Sequence, residues 1–158
     1  MRSITYKQIV EPRSEQISEI IDGLNSFGLE QVGGETPARI AVVCKNQKRR
    51  VIGGAIGHSI LQRFYLTQLW VSEEHRSHGL GTELMAQMEG VASQRGCRDI
   101  VVDTLSKSAV LFYERLGYSV YVVNPNYIQG FDWHFMTKKI QSDPSLQPTS
   151  GRDAASPG

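Results

Sequence analysis

A short stretch of this sequence places a cation, two glycines and a hydroxyl where a helix is predicted to begin. It reads Arg76-Ser-His-Gly-Leu-Gly-Thr82 and lies between a strand-like run and apolar residues at helical spacing. The first amides of a helix lack partners within the helix, and the helix dipole makes that end positive. Glycines let an anion approach these amides closely, while Arg76 and Thr82 add a charge and a hydroxyl. The stretch therefore predicts an anion site that is suited to a pyrophosphate.

The spacing of the glycines distinguishes three kinds of phosphate loop. A Walker loop requires a lysine after its last glycine, whereas Thr82 follows Gly81. A dinucleotide loop requires a third glycine, which is missing after Gly79 and Gly81. What remains is Arg-x-x-Gly-x-Gly at a strand-to-helix turn. By itself this pattern also fits a glycine-rich helix start with a solvated Arg76.

A second stretch favours the anion site. Ser108-Ala-Val-Leu-Phe-Tyr-Glu-Arg-Leu-Gly-Tyr118 lies one predicted helix and one predicted strand after the first stretch. In this order the two resemble the paired signatures of the GNAT superfamily of acyl-CoA N-acyltransferases, Arg-x-x-Gly-x-Gly and Ala-x-x-Phe-Tyr-Glu-x-Leu-Gly-Phe/Tyr. The resemblance extends from Ile40 to Ile140, which is most of the chain.

The resemblance implies an α/β fold (α+β by some schemes), with a mixed central sheet of six to seven strands flanked by helices and with splayed central parallel strands. The residue pattern agrees with such a fold, because strand-like and helix-like runs alternate along the chain. We predict strands at 38–44, 50–60, 66–71, 98–104, 118–123 and 131–140, and helices at 79–96 and 108–116. Nearer the N-terminus we expect a strand at 4–10, a helix after Ser14 and a loop around Gly28 and Gly33-Gly34. Residues 1–140 are expected to form one domain, and residues 141–158, which are poor in large apolar side chains, a disordered tail.

Acetyl-CoA is the co-substrate that the resemblance implies, without a metal. Its pyrophosphate would bind the glycine loop, and its pantetheine arm would pair with free backbone groups at Leu69 and Val71 in the gap between the splayed strands. Many family members carry an asparagine that contacts pantetheine where this chain has Ser106, and a hydroxyl replaces only part of that contact. The full set of expected cofactor contacts is Leu69, Trp70, Val71, Arg76, Ser77, His78, Gly79, Leu80, Gly81, Thr82, Ser106, Ala109, Phe112 and Tyr113.

The implied reaction is direct transfer of an acetyl group to a primary amine of a small molecule in a ternary complex. An alkyl amine has a pKa of about 10.4, so it must lose a proton before it attacks. Asp103 and Glu73 are the preferred candidates for the base, with Glu74, His75, His58 or ordered water as alternatives. By resemblance Tyr113 protonates the leaving thiolate, since a phenol ordinarily has a pKa of about 10 and a thiol one of about 8.5.

Composition limits the partners. The chain has 158 residues and a net charge of +1, which gives no general attraction to nucleic acid or to a membrane surface. The N-terminus lacks the apolar segment of a signal peptide. We interpret Cys44 and Cys97 as reduced residues of a cytoplasmic protein. A homodimer is compatible with the sequence, since GNAT proteins often dimerise through their sheets or C-terminal strands.

Two other functions stay open at this point. A non-catalytic acyl-CoA-binding regulator would keep the glycine loop but would not need Tyr113. A protein or peptide amine acetyltransferase would use the same chemistry on a larger acceptor. The acceptor pocket carries no motif in this sequence that names the amine.

Overall fold

The computed structural model describes residues 4–32 and 37–140. The chain divides into two units, residues 1–36 and residues 37–158. The Gly33-Gly34 pair and the expected tail at 141–158 lie outside the described residues.

The described part of the first unit contains one helix, α1 (Ser14–Val32). Its first turn is closed by Arg13, whose carbonyl accepts from the amides of Gln16 and Ile17. The helix continues through Gly28, where we expected a loop. Glycine lowers helix stability by about 1 kcal/mol relative to alanine but does not end a helix. The expected strand at 4–10 is also wrong: this segment has no regular structure, and none of the described strands pairs with it.

The second unit is built on a six-stranded sheet with the order β1-β2-β3-β4-β6-β5. Only β3 and β4 are parallel, and the other neighbours are antiparallel. The mixed α/β architecture that was expected is therefore confirmed. The strands are β1 (Ala38–Lys45), β2 (Val51–Ile60), β3 (Arg63–Val71), β4 (Asp99–Thr104), β5 (Ser119–Ile128) and β6 (Phe131–Lys139).

Two helices of this unit pack near the central strands. The helix α2 (Leu80–Gln94) contacts β1 to β4, and α3 (Lys107–Arg115) contacts β4. Met85 and Met88 of α2 are buried among core side chains such as Phe64 and Ile100. Burying each such side chain contributes about 1.5–3 kcal/mol to stability.

The end of α2 follows the prediction that Gly96 terminates it. Gly96 has a positive φ of 70°, which glycine adopts without a Cβ penalty. The amide of Cys97 donates to the carbonyl of Ala92, and that of Gly96 donates to Ser93, each at 2.9 Å. This Schellman arrangement satisfies carbonyls that the helix end leaves unpaired and turns the chain towards β4.

The central strands β3 and β4 separate towards their carboxyl ends. Their pairing covers only Arg63 with Asp99, Phe64 with Ile100 and Tyr65 with Val101. Beyond Tyr65, β3 continues to Val71 while β4 continues to Thr104, without further pairs between them. Backbone groups on the facing edges are thus left without a strand partner, as the expected splay requires.

The outer hairpin differs from its prediction. We expected the strand after Tyr118 to stop at Asn124-Pro125, but β5 continues to Ile128 with a register shift between Asn124 and Ile128. β5 is an edge strand, so the missing amide of Pro125 removes no ladder hydrogen bond on its open side. The turn falls instead at Gln129 and Gly130, which both have positive φ.

A buried carboxylate holds the paired ends of β3, β4 and β6 together. Asp99 is 5 % exposed, and its Oδ1 and Oδ2 accept from Arg63 Nε and Nη2 at 2.7 and 3.1 Å. Lys139 Nζ approaches Oδ2 at 3.3 Å. Desolvation would raise the pKa of Asp99, but the bonds and charges of Arg63 and Lys139 outweigh it and hold that pKa below the usual 3.8. The strands β3 and β4 therefore separate from an end that is held by a charged clamp, the ion pairs of Asp99 with Arg63 and Lys139.

Replacing Asp99 with Asn is expected to lower the free energy of unfolding at neutral pH by about 1–3 kcal/mol, because Arg63 loses its carboxylate partner. A lowered native pKa stabilises the fold above the unfolded pKa, and this contribution disappears as the pH falls through the native value. The difference between wild type and Asp99→Asn should therefore shrink when urea denaturation is repeated below about pH 3. Glu114→Gln, which removes an exposed carboxylate of α3, is the control. A constant difference at both pH values would contradict the clamp.

Candidate active site

An open cleft of about 580 Å³ lies where the end of β3, the start of α2 and one face of α3 meet. It includes every predicted cofactor contact except His78 and Ser106. It also includes three residues that the sequence analysis had not assigned to the cofactor: His75, Ser108 and Arg115. The lining residues are Leu69, Trp70, Val71, His75, Arg76, Ser77, Gly79, Leu80, Gly81, Thr82, Ser108, Ala109, Phe112, Tyr113 and Arg115.

The glycine loop opens α2 towards this cleft without a side-chain cap. Gly79 is the N-cap residue with φ 79°, and no side chain accepts a hydrogen bond at this cap. The first amides of α2 thus keep their donors for an external anion. A Cβ on Gly79 would meet nothing within 4 Å, so its glycine is required by the backbone angle and not by packing. Ser77 also has a positive φ, of 62°.

The side chains of the loop are anchored to its own backbone. Arg76 Nε donates to the carbonyl of Val71 at 3.1 Å, which fixes the guanidinium beside the end of β3. That carbonyl already has a donor, so of the two positions proposed for pantetheine pairing Leu69 is the less engaged. His78 Nδ1 is 2.6 Å from the carbonyl oxygen of Arg76, and His78 lies outside the cleft lining.

Gly81 marks the contact between α2 and α3. A Cβ at this position would lie 3.3 Å from Cζ of Phe112 and 4.0 Å from Cγ2 of Val71. This glycine therefore keeps the cleft open where α2 faces Phe112 of α3. Its role is steric, unlike that of Gly79.

Ser106 caps α3 and does not face the cleft. Its Oγ accepts from the amide of Ala109 at 3.3 Å and lies 2.8 Å from Oγ of Ser108. Its own amide donates to Oγ1 of Thr104. Ser108 reaches the cleft instead. Helical spacing would have found it, since Ser108 and Phe112 are four residues apart on one face.

Tyr113 lies in the wall of the cleft and is 6 % exposed. Its ring packs against Phe112 and Tyr118, with centroids 5.2 and 5.6 Å away. Burial, and to a smaller extent the negative charge of Asp103, together raise the pKa of Tyr113 to about 12. The hydroxyl is therefore protonated throughout the neutral range.

Asp103 stands at the carboxyl end of β4, beyond the last pair with β3. Its Oδ2 accepts from Nε1 of Trp133 at 2.8 Å, and the side chain is exposed. Trp133 packs against Phe135 and Tyr127, with ring centroids 4.6 and 4.5 Å away. The charge of Asp103 raises the pKa of Tyr113, but Asp103, like Glu73 and Glu74, is not among the residues that line the cleft.

The other base candidates lie elsewhere. Glu73 and Glu74 belong to an exposed 3₁₀ turn and do not line the cleft. His75 does line it, with Nδ1 2.8 Å from Oγ of Ser72. His58 stacks on Tyr65 at 5.3 Å, level with the paired part of β3 and β4. Of the candidates, Asp103 is the one whose charge acts on Tyr113.

The described residues contain no cluster of three or more His, Cys, Asp and Glu side chains that could hold a metal ion. None of their helices is long and apolar enough to cross a membrane.

Comparison with known proteins identifies the family and the fold. Residues 10–118 match the model of the Acetyltransferase (GNAT) family. An acetyltransferase of Agrobacterium fabrum, Atu2258, is 30 % identical over 106 residues, which are 67 % of this chain and 77 % of that protein. Blasticidin-S acetyltransferase of Streptomyces morookaense is 33 % identical over 95 residues, 60 % of this chain and 70 % of that protein.

A solved structure has the same architecture. A crystal structure of an acetyltransferase from Agrobacterium tumefaciens superimposes with a TM-score of 0.78 at 25 % identity, over 87 % of this chain and all of the other. The family match includes both the glycine loop and the Phe112-Tyr113 stretch that line the cleft. This chain belongs to the GNAT family of acetyl-CoA-dependent N-acetyltransferases.

Proposed function

We propose that this protein acetylates a primary amine of a small molecule, by direct transfer from acetyl-CoA in a ternary complex. The observation that carries the proposal is the cleft itself. In it the uncapped start of α2, the unpaired end of β3 and the protonated Tyr113 line one volume. The start of α2 suits the pyrophosphate of acetyl-CoA, the end of β3 suits its pantetheine arm, and Tyr113 suits its thioester sulfur.

The binding part of the site is built from backbone and charge. The amides of the first turn of α2 and the guanidinium of Arg76 suit a pyrophosphate. The edge of β3 near Leu69 offers backbone groups that an extended pantetheine arm can pair with, as an added strand would. An amide of the same edge is the donor we assign to the carbonyl oxygen, which gains negative charge as the amine attacks.

The proton transfers fall to Asp103 and Tyr113. Asp103 accepts a proton from the ammonium form of the substrate, directly or through one water, and the indole of Trp133 holds its carboxylate in place. The amine nitrogen then bonds to the acetyl carbon and releases its second proton to water. The carbon–sulfur bond breaks, and Tyr113 donates a hydrogen bond or its proton to the sulfur. Because the pKa of Tyr113 is about 12, complete transfer to a thiolate of pKa about 8.5 is uphill by about 5 kcal/mol. Hydrogen bonding to the departing sulfur is therefore its main contribution.

The small-molecule acceptor is supported by chemistry beside Asp103 and by one relative. Trp133, Phe135 and Tyr127 form an aromatic group next to the carboxylate, which suits an amine with apolar area. One relative, blasticidin-S acetyltransferase, takes its name from a small molecule. The net charge of +1 offers no general attraction to nucleic acid. Cys44 and Cys97, which are not joined by a disulfide, are consistent with the cytoplasmic location we infer.

A panel of acceptors tests the function. The protein is incubated with acetyl-CoA and small primary amines, with peptides bearing free N-termini as the competing class, and release of the CoA thiol is followed. We expect turnover on a small amine, with the acetylated product identified by mass spectrometry. Turnover on peptides alone would contradict the small-molecule proposal while leaving the acetyltransferase itself intact.

The assignment of the base makes a separate prediction. Asp103→Asn is expected to lower kcat/KM by about a hundredfold, because the ammonium substrate then lacks its proton acceptor. Glu73→Gln is the matched control, since it removes an exposed carboxylate outside the cleft lining. A loss of activity in Glu73→Gln with full activity in Asp103→Asn would reverse the assignment.

A further inference from the structure

Two arginine side chains line the cleft, and they come from different elements. Arg76 belongs to the glycine loop and is anchored to the carbonyl of Val71. Arg115 belongs to the last turn of α3. The pyrophosphate assignment uses Arg76 and the start of α2, so it leaves Arg115 without a role.

No interaction within the described chain accounts for Arg115. The ion pairs among the described residues join Arg63 and Lys139 to Asp99, Lys138 to Glu89 and Arg13 to Glu15. The side chain of Arg115 takes part in none of these, and among the described residues it makes no side-chain hydrogen bond. It is exposed towards the cleft with all its donors available.

Its position on α3 is set by the helical repeat. Ser108, Phe112 and Arg115 follow at intervals of four and three residues, so they share one face, and all three line the cleft. Phe112 is the residue that meets Gly81 of α2. Arg115 lies about 4.5 Å further along the helix axis, away from the end that follows β4. Arg115 therefore lies at the end of α3 that is farther from β4.

Coenzyme A carries a phosphate monoester on its ribose in addition to the pyrophosphate. We propose that Arg115 binds this 3′-phosphate, an assignment that rests on the proposed use of the cleft for acetyl-CoA. A guanidinium offers paired donors to a phosphate, and such charge-assisted bonds are about twice as strong as neutral ones. Arg115 would thus distinguish coenzyme A from its 3′-dephospho form, while Arg76 would not.

A structural role for Arg115 predicts a different result. A cation in the last turn of a helix interacts favourably with the helix dipole. Loss of that effect would lower the stability of α3 and would act equally on every ligand of the cleft. The two roles are therefore separated by comparing ligands, not by comparing activities.

The test measures dissociation constants of CoA and 3′-dephospho-CoA by calorimetry for wild type, Arg115→Gln, Arg115→Lys and Arg76→Gln. Lys107→Gln, which removes a cation from the same helix outside the cleft lining, is the matched control. We expect wild type to prefer CoA by about tenfold or more. Arg115→Gln should abolish this preference by weakening the binding of CoA alone, and Arg115→Lys should retain part of the preference. Arg76→Gln should weaken both ligands equally.

Four outcomes would overturn the inference. An unchanged preference in Arg115→Gln excludes the contact with the 3′-phosphate. Equal weakening of both ligands in that variant assigns Arg115 a structural role. Failure of wild type to bind either ligand rejects the proposed function itself, and the inference with it. Binding of both ligands without a preference leaves the function standing and rejects the inference alone.

Discussion

Replacement of Gly81 by valine is expected to weaken acetyl-CoA binding on the order of a hundredfold, the range that overpacking a close contact produces. A Cβ at Gly81 would already lie 3.3 Å from the ring of Phe112, so two further methyl carbons must displace α3 or enter the cleft. Both changes narrow the volume between α2 and α3. Turnover at low acetyl-CoA should fall by a similar factor.

Gly90 provides a matched control for this substitution. It lies in the same helix, and a Cβ there would meet nothing within 4 Å. Gly90→Val carries the same change in helix propensity, without the steric contact. Calorimetry of both variants with acetyl-CoA separates the two effects. Equal affinities in Gly81→Val and Gly90→Val would remove Gly81 from the site.

Substitution of Tyr113 by phenylalanine is expected to lower kcat by about a hundredfold, because the departing sulfur loses a hydrogen-bond donor. Affinity for acetyl-CoA should stay nearly constant, because the ring keeps its contacts with Phe112 and Tyr118. Tyr118→Phe is the control, since Tyr118 is also a buried tyrosine but donates to Glu89. The Tyr118→Phe variant should have a lower free energy of unfolding and an unchanged kcat. Full activity in Tyr113→Phe would show that water or another group, and not Tyr113, donates to the departing sulfur.

The raised pKa of Tyr113 also predicts a pH dependence. Its native pKa is about 12, above the ordinary value of 10.0, because of burial and then the charge of Asp103. Tyr113 therefore stabilises the fold below about pH 10, and this contribution disappears as the pH rises towards 12. It also follows that ionisation of Tyr113 does not set an alkaline limit on turnover near neutral pH.

The parts of the site that depend on local chemistry were predictable from sequence. The glycine loop could be predicted from the residue types at the start of a helix. Gly79 at the N-cap of α2 and Gly96 just after the end of α2 both have a positive φ, which explains why glycine stands at each position. The Phe112-Tyr113 stretch follows from the second signature. Its position in the cleft wall agrees with that expectation.

Other parts depend on contacts that residue spacing does not reveal. The contact of Ser106 with the cofactor stays a prediction: its hydroxyl accepts from the amide of Ala109, and Ser106 is not among the residues that line the cleft. The continuation of β5 through Pro125 depends on its edge position, which only the strand order gives. Our proposal of Asp103 as the base depends on the three-dimensional structure, because Asp103 in β4 and Tyr113 in α3 come from different elements. Arg115, by contrast, could have been found from its spacing to Phe112.

The central claim is that this cleft binds acetyl-CoA for transfer, and calorimetric titration of the whole chain with acetyl-CoA tests it most directly. The cleft geometry predicts saturable binding of one molecule per chain, competition by CoA, and an affinity that falls as salt screens the phosphate contacts of Arg76. A titration without binding heat, supported by an unchanged melting temperature at high acetyl-CoA, would contradict it.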